Sequence, residues 1–154
     1  MKFIFILLGL LLSVAVSSAS LYPCGPHSCP PNQVCRQIDS VCNCIPINDC
    51  HEVTLTFKFI GSWKDGSRND KVYSQYDVII TNNLNRDIKN IYIGSDYTLR
   101  LRDGTSIWNV VRLPNGVLTL PSYQPSINSN AQYTFGFIIE GTQRPNLQVL
   151  SVTF

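Results

Sequence analysis

All six cysteines of this chain fall at positions 24, 29, 35, 42, 44 and 50, and none occurs from His51 to Phe154. That distribution divides the chain before any periodicity is read. A segment of about thirty residues cannot bury a sizeable core, so cross-links must hold it together. Pro23, Pro26, Pro30, Pro31 and Pro46 also forbid long regular elements there. An even cysteine count in a secreted segment predicts three disulfides among Cys24, Cys29, Cys35, Cys42, Cys44 and Cys50. Spacing alone selects none of the roughly fifteen possible pairings. Zinc is the competing use, with Cys24-x2-His27 and Cys42-x-Cys44 as the nearest ligand spacings. The paired C-x2-C pattern is missing, however, and the secretory route oxidises thiols. No metal or other cofactor is expected.

The chain opens as a secreted protein would. Met1-Lys2 is a short basic start, Phe3 to Val16 is almost wholly apolar, and Ser17-Ser18-Ala19 offers a cleavage site. The apolar run is shorter than the roughly 20 residues a membrane span requires. Residues 1–19 therefore read as a signal peptide, 20–50 as a cysteine-rich disulfide knot and 51–154 as a separate β-rich domain. The formal net charge is +2 and only 14% of residues are charged. A nearly neutral chain has no electrostatic footprint for nucleic acid or anionic membranes, so an uncharged partner is expected. No N-x-Ser/Thr sequon occurs.

From residue 51 on, the pattern is that of strands. Val53, Leu55, Phe57 and Phe59 alternate with Thr54, Thr56 and Lys58, the period of a half-buried strand. Tyr76, Val78 and Ile80 share one face of 72–81, and Tyr73, Gln75, Asp77 and Thr81 share the other. Further strands are predicted over 88–93, 97–102, 107–113, 117–120, 131–139 and 147–154, with Pro114-Asn115-Gly116 as a hairpin signal. About eight strands without a convincing helix give an all-β chain, an antiparallel β-sandwich preceded by the small disulfide-rich segment.

Catalysis finds no constellation. His27 and His51 neighbour no nucleophile motif, and oxidised cysteines leave a Cys–His site without parts. A glycosidase needs two facing carboxylates. Glu52 and Glu140 are the only glutamates, and Asp65, Asp70, Asp87 and Asp103 stand in turn-like contexts with local structural work. The aromatics are more telling, because a flat ring with one wet face suits the apolar face of a sugar. Trp108 lies opposite the more apolar face of Ile107, Val111 and Leu113, and Tyr73 lies opposite Tyr76, Val78 and Ile80, so both are expected to be exposed. Trp63 shares the core parity of Phe57 and Phe59 unless Gly61-Ser62 breaks the register. Tyr123 sits in a loop between Pro121 and Pro125. Tyr76, Tyr97 and Tyr133 follow core parity, and Gln75, Asn109 and Arg112 flank the exposed rings.

The run Ser62-Trp63, followed by Val72-Tyr73-Ser74-Gln75-Tyr76-Asp77-Val78-Ile79-Ile80-Thr81-Asn82-Asn83, resembles the core motif of carbohydrate-binding module family 49. Ile107-Trp108, Leu120-Pro121-Ser122-Tyr123 and Tyr133-Thr134-Phe135-Gly136-Phe137 are similar to that family's second half. The resemblance covers about residues 50–154. It implies a β-sandwich that binds cellulose or a related β-glucan, including crystalline forms, by stacking, without breaking a bond. It places Trp63, Tyr73 and Trp108 on the binding platform, with Tyr123 where the family often has an aromatic after proline. The Arg100-Leu101-Arg102-Asp103 stretch is extra relative to the plant pattern, and no cellulase domain is attached. A secreted, non-catalytic component of a cellulosic extracellular matrix or wall is thereby implied. The alternative is an extracellular adhesion or matrix-assembly module that binds other matrix proteins.

Overall fold

The computed structural model describes the backbone of Pro23–Cys24 and of residues 27–154, and side chains from Cys29 onward. The expected signal peptide and the pairing of Cys24 lie outside the described residues. Among the described residues twelve strands run in chain order: β1 Pro23–Cys24, β2 His27–Ser28, β3 Gln33–Ile38, β4 Val41–Pro46, β5 Val53–Asp65, β6 Lys71–Asn82, β7 Asn90–Ser95, β8 Ile107–Trp108, β9 Val111–Arg112, β10 Leu118–Thr119, β11 Gln132–Glu140 and β12 Leu147–Thr153. Apart from the β1–β2 pair they form two sheets, a six-stranded one in the order β4-β3-β12-β7-β10-β9 and a four-stranded one in the order β5-β6-β11-β8. Among the described residues no helix is long and apolar enough to cross a membrane.

Alternation builds the interior. From the four-stranded sheet come Val78, Ile80, Phe135, Phe137 and Ile139, and from the other sheet Val34, Ile91, Ile93, Leu118 and Val152, all fully buried in one cluster. Burying a side chain of this size contributes about 1.5–3 kcal/mol. The β3–β4 hairpin of the cysteine-rich segment extends the six-stranded sheet, because β3 pairs in parallel with β12 through Cys35↔Ser151, Arg36↔Val152 and Gln37↔Thr153. Val34 therefore belongs to the same core as the sandwich.

The cysteines depart from the expected three bridges. Cys29 and Cys44 are joined, at an S–S distance of 2.05 Å, and Cys42 is also disulfide-bonded. Cys35 and Cys50 are buried thiols. The pleat gives the reason: Val34 and Cys50 point into the core, whereas Cys35, next along β3, points to the opposite face beside Cys42 and Ser151. A sheet thus separates the two thiols. Burial raises the pKa of both, which keeps them protonated and poorly nucleophilic.

Among the described residues two ion pairs tie the cysteine-rich segment to the sandwich, Arg36–Glu52 and Asp39–Arg86, the latter at 2.6 Å. Burial pushes the Glu52 carboxyl up, but its backbone hydrogen bond and Arg36 outweigh this and hold its pKa below the ordinary 4.5. A depressed folded pKa gives stability that is complete above pH 4.5 and is lost as pH falls through the folded value. Asp39, Asp65, Asp96 and Asp103 are depressed as well and weaken the fold in the same direction. Glu52→Gln isolates the contribution of Glu52: its urea midpoint should fall less than wild type between pH 7 and pH 3. Parallel falls would show that the pair contributes nothing measurable.

The predicted strand over 97–102 does not form. Oδ1 of Asp96 accepts from the Thr98 amide at 2.8 Å and from its hydroxyl, and this local turn competes with a ladder. Leu101 keeps a single bridge to Ile139. Tyr97, expected at core parity, is in consequence 89% exposed.

Candidate functional site

The outer face of the four-stranded sheet carries the aromatics, and a bulge places one of them there. Up to Phe59 the β5 residues pair regularly with β6; between Phe59 and Gly61 the register shifts, so that Ile60 is the extra residue. An inserted residue flips the parity of every later position in its strand. Trp63 is therefore opposite Tyr73, on the outer face, and is 36% exposed. The Gly61-Ser62 interruption is the sequence signal of this bulge. Phe59, on the core side of an edge strand, is itself 55% exposed.

Tyr73 has the expected face but not the expected exposure. Only 3% of it is accessible. The Trp63 ring lies 6.4 Å away at a tilt of 40° and covers it, while Lys71 and Glu140 pair at 3.0 Å alongside, Glu140 being the direct cross-strand neighbour of Tyr73. Tyr73 packs beside the Trp63 indole instead of offering its own ring.

Trp108 pairs with Gly136 across β8 and β11, so it takes the expected outward face with Asp77 and Lys58 in the same row, but it is half-buried where exposure was expected. Its indole lies directly over Gly136: a Cβ there would stand 2.4 Å from Cζ2 and 2.7 Å from Nε1 of the ring. Glycine is required here for space, not for an unusual backbone angle. Gly136→Ala is expected to lift the indole off the sheet and weaken ligand retention several-fold, without changing any buried hydrophobic contact. Near-ultraviolet circular dichroism reads the ring, and a pull-down on insoluble polysaccharide reads the retention. An unchanged indole signal would show that the ring does not rest on Gly136.

The strand ends just beyond Trp108. Asn109 takes a left-handed conformation at φ 60°, so 107–113 is not one strand, and Val111 is exposed while Val110 packs on the core. The turn is pinned by Tyr133, whose hydroxyl donates to the Asn109 carbonyl at 2.8 Å, and by the Asn109 amide, which donates to the Thr134 carbonyl at 3.4 Å. Burial, reinforced by the neighbouring Tyr123, pushes the Tyr133 phenol up to about 12 and keeps it a donor. Tyr123 is 69% exposed and its hydroxyl reaches Oδ1 of Asn109 at 3.4 Å. Tyr123 and Tyr133 thus meet at Asn109, the residue next to Trp108, with Trp63 set apart. Three strand spacings across and four residues along separate Trp63 from Trp108, a Cα distance of about 20 Å. Between them lie Gln75, Asp77 and half-buried Ile138. Arg112, on β9 of the other sheet, is not part of this face.

The carboxylates elsewhere are occupied locally. Asp65 accepts from Ser67, Asp87 from the Ser129 amide at 2.8 Å, and Asp103 from Thr105 and Ser106. The Ser106 and Thr105 hydroxyls hold Asp103 far below the usual carboxylate range. A group held ionised in this way is a poor proton donor.

The sequence profile described as Carbohydrate binding domain CBM49 matches residues 53–141. The chain belongs to the CBM49 family. The matched span of this CBM49 chain runs from the first residue of β5 to Gly141, just past β11, and includes the whole four-stranded sheet with Trp63, Tyr73, Trp108 and Tyr123. Two relatives from Dictyostelium discoideum, Stalk-specific protein A and Stalk-specific protein B, are 66% and 65% identical over their whole length and that of this chain. Among solved structures, chitinase ChiA74 from Bacillus thuringiensis is similar over 62% of this chain and 15% of its own, with 24% identity and a TM-score of 0.46. The family is that of a carbohydrate-binding domain.

Proposed function

We propose that this is a secreted, non-catalytic protein that binds cellulose or a related β-glucan and belongs to an extracellular matrix or wall. The observation that carries the reading is the half-buried Trp108 indole seated over Gly136 on the outer face of the four-stranded sheet, with Trp63 exposed on the same face. A stacked ring that covers about 100 Å² of apolar sugar surface contributes roughly 2–3 kcal/mol. Two or three such rings, set against an association cost of several kcal/mol, predict weak binding of a soluble oligomer, no better than about tens of micromolar. A repeating insoluble polymer raises apparent affinity by presenting many adjacent sites. The spacing of about 20 Å spans several sugar units, which favours a polymer over a mono- or disaccharide. Gln75 and Asp77 between the rings would bind hydroxyls. Relatives designated stalk-specific support a structural setting.

The test is a pull-down of the purified protein on microcrystalline cellulose, mixed-linkage β-glucan, xylan and chitin. Retention on cellulose above the others is the expected result. Retention on chitin alone would replace cellulose as the ligand. No retention on any polysaccharide, together with recovery of a stoichiometric matrix protein, would favour the adhesion role. Release of reducing ends from pure cellulose would overturn the non-catalytic reading.

A further inference from the structure

The side of the sandwich turned away from the tryptophans is also shaped to hold something. In β7 and β12, Gly94 and Gln148 are direct partners between the core positions Ile91, Ile93 and Val149, so both point outward from the six-stranded sheet. Two clefts of about 260 and 480 Å³ open there, and both are bordered by Gln148 and Leu150, which makes them one trough. It crosses from β3 to β10, about 14 Å by strand spacing. The cysteine-rich segment supplies one end through Pro31, Asn32 and Gln33, and the turn before β10 supplies the other through Asn115. Gly94 keeps the floor low, since a Cβ there would come within 3.1 Å of the Leu150 side chain.

The lining sets five side-chain amides, Asn32, Gln33, Asn115, Asn146 and Gln148, among apolar groups such as Leu150. The charged wall group, Asp96, is engaged by the Thr98 amide at 2.8 Å and by the Asn146 amide at 3.3 Å. The side chains of Gln33 and Gln148 make no hydrogen bond among the described residues. An anionic ligand would find no counter-charge here, since the charged group of the lining, Asp96, is itself a carboxylate, and an apolar one would bury the Gln33 and Gln148 amides without partners. A neutral chain of hydroxyls satisfies both conditions, because each amide offers donors and an acceptor together.

We propose that this trough is a second carbohydrate-binding site, for a short stretch of neutral polysaccharide held by hydrogen bonds and not by stacking. It rests on the carbohydrate-binding reading of the tryptophan face. The two sites are on opposite sides of the sandwich, so one molecule engages two glycan chains and cross-links them.

Titration of the full chain with cellohexaose, followed by 15N–1H correlation spectra, reads both faces in one experiment. Shifts are expected at Gly94, Gln148 and the Asn115 side-chain amide as well as at the two indoles. The Trp63→Ala, Trp108→Ala double variant should lose the indole-face shifts and keep those of the trough. Gln148→Arg, which fills the trough from a surface position, should weaken the trough response at least tenfold and leave the indole response unchanged. It should also abolish bundling of cellulose microfibrils, measured by turbidity, without abolishing retention. Core methyl signals report that each variant is folded. Shifts confined to the tryptophan face would overturn the trough and leave the first site standing. Shifts at neither face would remove both, and shifts at the trough alone would retain the second site while refuting the first.

Discussion

Trp108→Ala is expected to lower retention on microcrystalline cellulose roughly 30- to 150-fold, the equivalent of the 2–3 kcal/mol that one stacked ring contributes. Its folding stability should change little, because the indole lies on the outside of the sheet over Gly136 and not in the core. Trp63→Ala should have a smaller effect. Removal of that ring opens the neighbouring Tyr73, whose ring centroid is 6.4 Å away, and leaves an aromatic side chain next to the vacated place. The double variant Trp63→Ala, Tyr73→Ala should then lose what Trp63→Ala alone retains. Binding isotherms on cellulose, paired with urea unfolding curves, give both readings. Equal losses for Trp63→Ala and Trp108→Ala would show that Tyr73 does not take over.

Asn82→Ala should produce the largest loss of stability, about 3–5 kcal/mol, since it deletes one buried and three partly buried hydrogen bonds and orphans their partners. Asn82 is 1% exposed. Its amide donates to the carbonyls of Arg86 at 2.6 Å, Ile127 at 3.2 Å and Asn128 at 3.0 Å, and its Oδ1 accepts from the Leu84 amide at 3.1 Å. One side chain thus joins the end of β6 to two loops, next to the Ile88↔Ile127 bridge. Asn82→Asp keeps the acceptor and loses the donors, so it should recover only a small part of the loss. The midpoint of urea unfolding measures both. A loss below about 1 kcal/mol for Asn82→Ala would mean that water replaces the amide.

Most of the architecture was legible in the residues. Alternation in 53–59, 72–81 and 131–139 marked the three long strands of the smaller sheet, because one buried face imposes a period of two. The features that escaped were decided by groups whose effect is not periodic. The bulge at Ile60 moved Trp63 outward and set its ring against Tyr73, so the correct face for Tyr73 still gave the wrong exposure. Asp96 diverted 97–102 from a strand by bonding to Thr98, and Asn109 broke 107–113 by adopting a left-handed φ. The six cysteines suggested three bridges, but the pleat of β3 sent Cys35 and the core took Cys50 to opposite sides. Gly136 was visible as a glycine inside a strand, a sign of close approach that only becomes specific once Trp108 is known to be its neighbour.

The parallel pairing of β3 with β12 has a mechanical consequence. Tension applied to the chain ahead of Gln33 and beyond Thr153 pulls these two strands in opposite directions along their own axes. The ladder from Cys35↔Ser151 to Gln37↔Thr153, continued by the bond from the Phe154 amide to the Gln37 carbonyl, is then strained all at once and not peeled open rung by rung. A molecule stretched between two anchorages would yield only when the whole set ruptures together.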